Sequence, residues 1–314
     1  MYRKIMGFLE AWKESEHRKP LILQGARQVG KTYSILEFGR THYENVAYFN
    51  FETNPKLNKT FEENISPDYL IPILSHIAGQ TIVTEKTLIV FDEVQLCERA
   101  LTSLKYFCEN ALDYHIIVAG SLLGVAVNRA KFSFPVGKVD MKTLYPMDME
   151  EFMLALGEDD LVEQIKKCFQ TDTPLPSALH DAAMQLYRQY LVVGGMPECV
   201  MQFAETKDYI LVRHTQDTIL ASYLNDMSKY NNLNEIKKTR LAYDNITVQL
   251  SKKNTRFQYK LIKKGGRASE FENAIEWLCL SGIVSQVYKV EQIKKPLENY
   301  RDIDAFKIYV SDLG

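Results

Sequence analysis

The strongest chemical pattern in this sequence is the octapeptide Gly25-Ala26-Arg27-Gln28-Val29-Gly30-Lys31-Thr32. It matches G-x-x-x-x-G-K-[ST], a loop whose glycines let the backbone curve around phosphate oxygens while its amide groups point at them. In such a loop Lys31 reaches the β- and γ-phosphates, and the Thr32 hydroxyl ligates Mg2+. We therefore predict a nucleotide site that is lined by these eight residues and by Tyr33, which follows them.

The elements around this loop agree with that prediction. Leu21-Ile22-Leu23 has the apolar pattern of a short buried strand, and the stretch from Thr32 to Arg40 has the pattern of a helix. A phosphate-binding loop of this kind requires a strand before it and a helix after it. The context therefore makes a chance match in a glycine turn the weaker alternative.

A second motif places two carboxylates at the end of a hydrophobic strand. The apolar run from Leu88 to Phe91 leads directly into Asp92 and Glu93. We predict that Asp92 holds Mg2+ through water, and that Glu93 is the general base that polarises a water for attack on the γ-phosphate. An apolar run followed by Asp-Glu is common by itself. It is much more specific when it follows a phosphate-binding loop in an alternating pattern of strands and helices.

The sequence also indicates which nucleotide is bound. Paired carboxylates of this kind are usual in hydrolytic P-loop ATPases, whereas GTPases select guanine through an N-K-x-D motif. Asn58-Lys59-Thr60-Phe61 lacks that aspartate, so ATP is favoured over GTP. A further strand, His115 to Ala119, leads into Gly120 and Ser121, and Ser121 is a candidate catalytic residue that senses the γ-phosphate. A turn serine or a helix N-cap explains Ser121 equally well.

Composition limits the remaining functions. The chain has 314 residues, of which 46% are hydrophobic and 25% are charged, and these values suit a folded protein of about two domains. Its formal net charge of -2 argues against a protein coated in positive potential, so any contact with nucleic acid must come from a local patch. The five cysteines include no C-x-x-C pair, which favours reduced thiols over a disulfide framework.

The N-terminus gives no indication of export or of a membrane. Met1 to Met6 is basic but has no sustained apolar stretch, and charged residues follow it at once. No run of about 20 apolar residues occurs in the sequence. We therefore expect a soluble, cytoplasmic protein with neither a signal peptide nor a membrane helix.

The order of predicted elements indicates an α/β fold followed by two smaller parts. Strands and helices alternate as far as Pro146, which predicts a parallel sheet with right-handed crossovers. The pattern is then mostly helical to about Tyr230, and beyond it three helical stretches precede two strands, the order of a winged helix-turn-helix. We predict a P-loop ATPase core with an N-terminal helix (1–146), a helical lid (147–232) and a winged-helix-like domain (233–314).

Together these motifs resemble those of the bacterial and archaeal ATP-binding proteins of the AAA superfamily, in which a P-loop ATPase is joined to a C-terminal region of unknown function. The similarity spans nearly the whole chain. The matching stretches are residues 18–32, 48–52, 91–95, 119–121, 144–147 with Glu151-Phe152, and 194–198.

This resemblance implies more than the residues do by themselves. It implies a core sheet with the strand order 5-1-4-3-2, followed by a helical lid and a winged helix. It also implies that the turn Gly195-Met196-Pro197 approaches the nucleotide and that Pro197 lies beside the adenosine. The alternative for this turn is a plain helix break, which glycines and proline produce unaided.

The chain departs from the family pattern at two places. Many members carry Gly-Arg after the sensor strand, where the arginine is a candidate γ-phosphate contact. This chain has Gly137-Lys138, which keeps the charge but lacks the planar fork of arginine. Members also usually continue past the stretch corresponding to residues 302–314 into a nuclease-like domain, so we expect this sequence to be truncated.

A basic segment near the C-terminus is a candidate DNA contact. Between Ser251 and Gly266 no acidic residue occurs, and Phe257 and Tyr259 alternate with cations. The cations are Lys252, Lys253, Arg256, Lys260, Lys263 and Lys264, followed by Arg267. On a winged helix such a segment would suit the phosphate backbone of DNA. A solvated face, or a lid surface against the ATPase core, is the alternative.

Three functions fit these observations. In the best supported one, the protein is an ATPase switch: ATP closes the lid and winged helix on the core, and hydrolysis by Glu93 releases them. A nucleotide-dependent module that binds DNA or a protein with little turnover would not need Glu93. A P-loop kinase that acts on a small molecule is less well supported, because the sequence contains no obvious acceptor site. A protein partner or a homo-oligomer is compatible with either of the first two.

Overall fold

The structure is a computed structural model that describes residues 1–120, 134–230, 233–252 and 256–314. Helices and strands are numbered in chain order within these ranges. The chain divides into two compact units, Met1–Gln170 and Thr171–Gly314. The division into three domains, with boundaries after residues 146 and 232, stays a prediction.

The first unit is built on a five-stranded sheet. Its strands are β1 (Leu21–Gln24), β2 (Asn45–Asn50), β3 (Thr87–Asp92), β4 (His115–Ala119) and β5 (Asp140–Thr143). They lie in the order β2-β3-β4-β1-β5, and neighbouring strands are parallel. Counted from the other edge, this is the predicted order 5-1-4-3-2, which is therefore confirmed.

Helices of the first unit precede the first strand, connect later strands and follow the last one. They are α1 (Ile5–Lys13), α2 (Lys31–His42), α3 (Lys56–Glu63), α4 (Pro67–Ala78), α5 (Glu98–Asn110), α6 (Met149–Ala155) and α7 (Asp159–Gln170). The first of them is the predicted N-terminal helix. It ends at Lys13 because the chain turns back there: Arg18 donates to the Lys13 carbonyl oxygen at 2.9 Å, and the Trp12 indole donates to the Lys19 carbonyl oxygen at 2.9 Å.

The side chains of β2 and β3 alternate between the two faces of the sheet. Val46 and Leu88 face α2, because Gly39 of that helix lies so close to both side chains that a Cβ there would collide with Val46. Phe49 and Phe91 point to the opposite face, where they pack in a core with α3, α4 and α5. Cover on both faces explains why β3 and β4 are buried along their whole length.

The second unit contains helices followed by a pair of antiparallel strands. They are α8 (Ser177–Val193), α9 (Pro197–Thr206), α10 (Tyr209–Tyr230), α11 (Leu233–Leu250), α12 (Tyr259–Ile262), α13 (Ala268–Leu280), β6 (Val284–Val290) and β7 (Arg301–Val310). The last three helices and two strands appear in the predicted order, while the winged-helix assignment itself stays a prediction. No helix within the described ranges is both long and apolar enough to cross a membrane.

A glycine turn joins α8 to α9 in the second unit and contacts the residues that follow β7. Gly194 has φ +76°, and a Cβ there would collide with the Asp312 carboxylate. That carboxylate accepts the Gly195 amide at 2.5 Å. Burial raises the pKa of Asp312, although amides of Gly195, Leu313 and Gly314 oppose this shift by hydrogen bonding to the charged form. The turn therefore also has a packing role within this unit.

Candidate nucleotide-binding site

The loop between β1 and α2 has a backbone shape that favours glycine. The φ angle is +148° at Gly25 and +89° at Gly30, a region that residues with a side chain rarely adopt. A Cβ at Gly25 would also collide with the carbonyl oxygen of Leu144, which follows β5. Gly30 leads directly into Lys31, the first residue of α2. The loop thus ends at a helix N-terminus, an arrangement that binds phosphate.

Lys31 is held inside this loop by backbone oxygens. Its Nζ donates to the carbonyl oxygens of Gly25 at 2.9 Å and of Ala26 at 2.8 Å, and the residue is only 7% exposed. Burial lowers the pKa of Lys31 to about 8, although the negative charges of Glu93 and Asp92 act in the opposite direction. A poorly solvated ammonium at this position gains strongly from an anion, because few interactions with water are lost when the anion binds.

Thr32 and Asp92 connect the two predicted motifs. The Thr32 hydroxyl donates to Asp92 Oδ2 at 2.9 Å, which joins the first turn of α2 to the end of β3. The Tyr48 hydroxyl, from β2, donates to the same oxygen at 2.7 Å. Burial raises the pKa of Tyr48 to about 12, and the hydrogen bond to Asp92 adds to this shift, so the phenol stays protonated at neutral pH.

Glu93 directly follows the strand, in a conformation unusual for its residue type. Its φ and ψ angles are 51° and 40°, in the left-handed region, and its amide donates to Asp92 Oδ1 at 3.0 Å. The side-chain amide of Gln95 donates to Glu93 Oε2. The half-buried Glu93 carboxylate is therefore held beside Asp92 by the turn that follows β3.

The oxygen atoms of this site fit Mg2+. Thr32 offers a hydroxyl and Asp92 a carboxylate, which are the hard oxygen ligands that Mg2+ prefers. Within the described ranges, no group of three or more His, Cys, Asp or Glu side chains could hold a metal. Mg2+ in nucleotide sites does not need such a group, because one or two protein oxygens share it with phosphates and water. The residues present therefore suit a magnesium ion that arrives with its nucleotide.

The other loop residues differ in exposure. Ala26 and Val29 are buried and pack the loop onto the unit, whereas Arg27 is half-buried. Gln28 is exposed and has φ +66°. Tyr33, on the first turn of α2, is also exposed. Their predicted contacts with a nucleotide stay predictions.

Arg3, which was not among the predicted site residues, contacts the loop from the N-terminal segment. Its guanidinium donates to the carbonyl oxygens of Val29 at 2.9 Å and of Tyr145 at 2.8 Å. It also forms a buried ion pair with Glu151 at 3.1 Å. A single arginine in a charged N-terminal segment carries no sequence signal for such a contact.

Tyr48 was also missed, although the sequence contains a signal for it. Tyr48 and Asn50 alternate with Ala47 and Phe49 along β2, and this places two polar side chains on the face that carries Asp92. A strand that ends beside a phosphate-binding loop and alternates in this way indicates polar side chains near the site.

Several predicted site residues are not brought to this loop by the described structure. Ser121 and Lys253 lie outside the described residues. Pro197 is the first residue of α9, in the second unit, so its predicted position beside adenosine stays a prediction.

Lys138 lies at the opposite end of the sheet from the phosphate-binding loop. It precedes β5, whose first residue Asp140 pairs with Leu21 at the start of β1, whereas the loop follows the end of β1. Its Nζ forms an ion pair with Glu109 of α5 at 3.0 Å. In this structure Lys138 therefore does not take the place of the family's candidate γ-phosphate arginine.

The sheet order and the two motifs define the first unit as a P-loop nucleotide-binding domain. Residues 17–153 match the family model described as an AAA domain, and residues 184–314 match that of a domain of unknown function (DUF8612). The chain therefore joins a P-loop domain of the AAA superfamily to a C-terminal domain of unknown function, as the resemblance implied. No curated protein matches the chain by sequence.

The solved structures that share this fold include two that match over 99% of this chain. The Walker-type ATPase PABY2304 of Pyrococcus abyssi has a TM-score of 0.59 and 13% identity, over 99% of this chain and 93% of that chain. The ORC2 protein of Aeropyrum pernix, in ADPNP-ADP complexes, has a TM-score of 0.51 and 12% identity, over 99% of this chain and 90% of that chain. At such identities the similarity establishes the fold alone.

Proposed function

We propose that this protein binds Mg-ATP and hydrolyses it to ADP and phosphate. The observation that carries the proposal is the hydrogen bond between Thr32 and Asp92, because it brings the end of β3 to the first turn of α2. Lys31 is buried in the same loop, and Glu93 follows Asp92 directly. The side chains that phosphoryl transfer to water requires therefore meet at one end of the sheet.

Each side chain has a distinct role in this proposal. Lys31 exchanges the carbonyl oxygens of Gly25 and Ala26 for β- and γ-phosphate oxygens, and its charge offsets the negative charge that grows on the leaving ADP. Glu93 accepts a proton from water as the water oxygen bonds to the γ-phosphorus and the bond from phosphorus to the ADP oxygen breaks. Thr32 and Asp92 would hold Mg2+, which neutralises phosphate charge when bound.

The choice of ATP rests on two observations. The sequence lacks the guanine-selecting N-K-x-D motif, since Asn58-Lys59 is followed by Thr60 and Phe61. The structurally similar ORC2 protein is in ADPNP-ADP complexes, and the similar PABY2304 protein is a Walker-type ATPase. Both observations favour an adenine nucleotide.

We propose further that the nucleotide cycle works as a conformational switch. ATP would close the lid and the C-terminal domain on the core, with Pro197 beside the adenosine, and hydrolysis would release them. The alternative is a nucleotide-dependent module that binds DNA, a protein or a second copy of the chain with little turnover. Glu93 separates the two, because a module that only binds has no use for a general base.

The test is ATP binding and phosphate release by the purified chain with Mg2+. Lys31→Ala should lose ATP binding, because the phosphates lose their buried cation. Glu93→Gln should bind ATP but release phosphate at least about 100-fold more slowly, because the amide cannot accept the proton. Tight binding by the wild type without phosphate release would support the binding module instead, and absence of binding would overturn the proposal.

Matched control variants exist at the other end of the sheet. Lys86 and Glu44 form an exposed ion pair 2.8 Å apart, near the starts of β3 and β2. Lys86→Ala and Glu44→Gln therefore make the same chemical changes away from the loop. Both should bind and hydrolyse ATP as the wild type does.

Binding of duplex DNA by the C-terminal residues is a second candidate function. This candidate is supported by the exposure of the basic segment, because all of its described cations are exposed to solvent. They are Lys252, Arg256, Lys260, Lys263, Lys264 and Arg267. Arg256 and Lys260 also line an open cleft together with Tyr259. Cations around an aromatic side chain suit a phosphate backbone.

Acidic side chains in the same region oppose this candidate function. Glu272 and Asp304 line the same cleft, and Lys263 pairs with Glu270 at 3.3 Å. Glu272 and Glu276 are exposed on α13 and would repel phosphates. The region therefore has a mixed charge, which weakens its attraction for DNA phosphates.

The test is the salt dependence of duplex DNA binding. If the C-terminal residues bind DNA, the double variant Lys263→Glu/Lys264→Glu should bind it more weakly. The fall of log affinity with log salt should also be less steep, by about 2. Lys56→Glu/Lys59→Glu makes the same change on exposed lysines of α3 and should bind as the wild type does. No binding by the wild type at low salt would exclude this function.

A further inference from the structure

Tyr48 contacts the predicted magnesium ligand from the edge strand of the sheet. Its hydroxyl donates to Asp92 Oδ2 at 2.7 Å, and the same oxygen accepts the Thr32 hydroxyl at 2.9 Å. The side-chain amide of Asn50 donates to the Tyr48 oxygen at 3.2 Å. Because Asn50 supplies that hydrogen, the Tyr48 proton points at the carboxylate, and the two bonds strengthen each other.

The strand register explains why a tyrosine reaches this carboxylate. Asn50 pairs with Asp92, and Tyr48 pairs with Val90 two residues earlier. Side chains two residues apart lie on the same face, so Tyr48, Asn50 and Asp92 share one face of the sheet. Only a long side chain at position 48 can reach diagonally to Asp92, and a phenol also brings a donor.

The contact contributes little to holding the fold together. Tyr48 is 38% exposed, and Thr32 and the Glu93 amide still bind the Asp92 carboxylate if the phenol is removed. What the phenol adds is direction, because it is a second donor to Oδ2 that comes from β2, whereas the Thr32 hydroxyl comes from α2. Hydrogen bonds from neighbouring groups orient metal-binding carboxylates, and their loss typically weakens metal affinity 10- to 100-fold.

We infer that Tyr48 is a positioning residue for Mg2+, whose hydroxyl holds the Asp92 carboxylate in the orientation that receives Mg-ATP. The inference rests on the proposed binding of Mg-ATP and deepens it. Tyr48 acts through Asp92 and does not contact the phosphates. Loss of its hydroxyl therefore changes how nucleotide binding depends on Mg2+, and leaves binding without Mg2+ unchanged.

The experiment is a titration of ATP affinity against Mg2+ concentration, together with the ATP affinity in EDTA. For Tyr48→Phe we expect a rise of about tenfold in the Mg2+ concentration that gives half of the maximal increase in ATP affinity. This is within the range for such contacts. The affinity in EDTA and the melting temperature without nucleotide should match the wild type. Tyr48→Leu, which also lacks the hydroxyl, should show the same shift in Mg2+ dependence.

Tyr69→Phe is the matched control, because it also removes a bond from a tyrosine hydroxyl to a carboxylate. The Tyr69 hydroxyl donates to Glu63 at 2.5 Å, on α3 and α4 away from the loop. This variant should keep the wild-type Mg2+ dependence. The inference would be wrong if Tyr48→Phe kept the wild-type Mg2+ dependence, or if it lost the same amount of ATP affinity with and without Mg2+. Either result would leave the proposed Mg-ATP function standing. Mg2+-independent binding by the wild type would overturn the proposed Mg-ATP function and the inference with it.

Discussion

The guanidinium of Arg3 lies 3.1 Å from the carboxylate of Glu151, and both side chains are buried. The same carboxylate accepts the Lys4 amide at 2.6 Å and the Asp148 amide at 3.2 Å. Arg3 in turn donates to Val29 in the phosphate-binding loop. One buried ion pair therefore connects the N-terminal segment, the loop and the start of α6, and none of the three can shift without disturbing the other two.

Glu151→Ala should destabilise the first unit strongly. Removing one partner leaves the Arg3 charge buried and unpaired, a change that typically costs about 3 to 5 kcal/mol. Urea denaturation measures this loss as a lower midpoint. The double variant Arg3→Met/Glu151→Leu leaves no buried charge unpaired and should recover part of the loss, although backbone groups such as the Val29 carbonyl lose a partner. Lys86→Ala is the control, because it removes the exposed ion pair between Lys86 and Glu44. It should leave the urea midpoint nearly unchanged. Equal midpoints for Glu151→Ala and the control would contradict the role of the pair.

The sheet was predictable from sequence because its central strands are covered on both faces. β3 and β4 therefore appear as uninterrupted apolar runs between polar turns. The helix α3 was not predicted, since only Leu57 and Phe61 of its eight residues are buried. Two apolar residues in a short polar stretch give too weak a periodicity for a helix to be predicted.

The phosphate-binding loop was predictable because its residues are contiguous and their types follow from the chemistry. Arg3 was not, because its partner Glu151 is 148 residues away along the chain. Tyr48 reaches Asp92 only through the register of β2 on β3. The alternation along β2 indicates a polar side chain near the site, but the contact with Asp92 itself depends on the assembled sheet, which local patterns in one sequence do not encode.

Gly25→Ala should damage both stability and nucleotide binding. The residue has φ +148° and its new Cβ would collide with the Leu144 carbonyl oxygen. Strained backbone of this kind typically costs about 1 to 3 kcal/mol, and the loop must also shift to relieve the collision. Thermal unfolding and ATP titration measure the two effects. Gly7→Ala is the control. Gly7 lies on the exposed side of α1 with free space around it. This substitution should raise the free energy of unfolding by about 0.5 to 1 kcal/mol. A fully active, fully stable Gly25→Ala variant would contradict the loop geometry.

The buried ammonium of Lys31 should make stability depend on pH in the alkaline range. Its pKa is lowered to about 8 in the folded protein, so between pH 8 and its ordinary value of 10.5 the unfolded chain binds a proton that the folded chain does not. The free energy of unfolding of the wild type should therefore rise relative to that of Lys31→Met over this range, by up to about 3 kcal/mol. Urea denaturation at pH 7.5 and pH 10 measures the difference. An equal change in both proteins would show that Lys31 is not desolvated.

The buried imidazole of His115 should weaken the fold in acid. His115 is 4% exposed at the start of β4, and its Nδ1 hydrogen bonds to the Tyr43 hydroxyl at 2.7 Å, while Nε2 has no partner within the described residues. Burial, together with the charges of Arg18 and Lys13, lowers its pKa to about 4.

Because the folded pKa of His115 lies below the unfolded value of 6.5, the unfolded state takes up the proton first as the pH falls. The free energy of unfolding should therefore keep its full value above pH 6.5 and should fall by up to about 3 kcal/mol as the pH approaches 4. His115→Phe cannot take up a proton and should lose less stability over the same range in urea denaturation. His76→Gln, on the exposed side of α4, is the control and should follow the wild type. If His115→Phe and the wild type declined in parallel, the acid sensitivity would have to come from other groups.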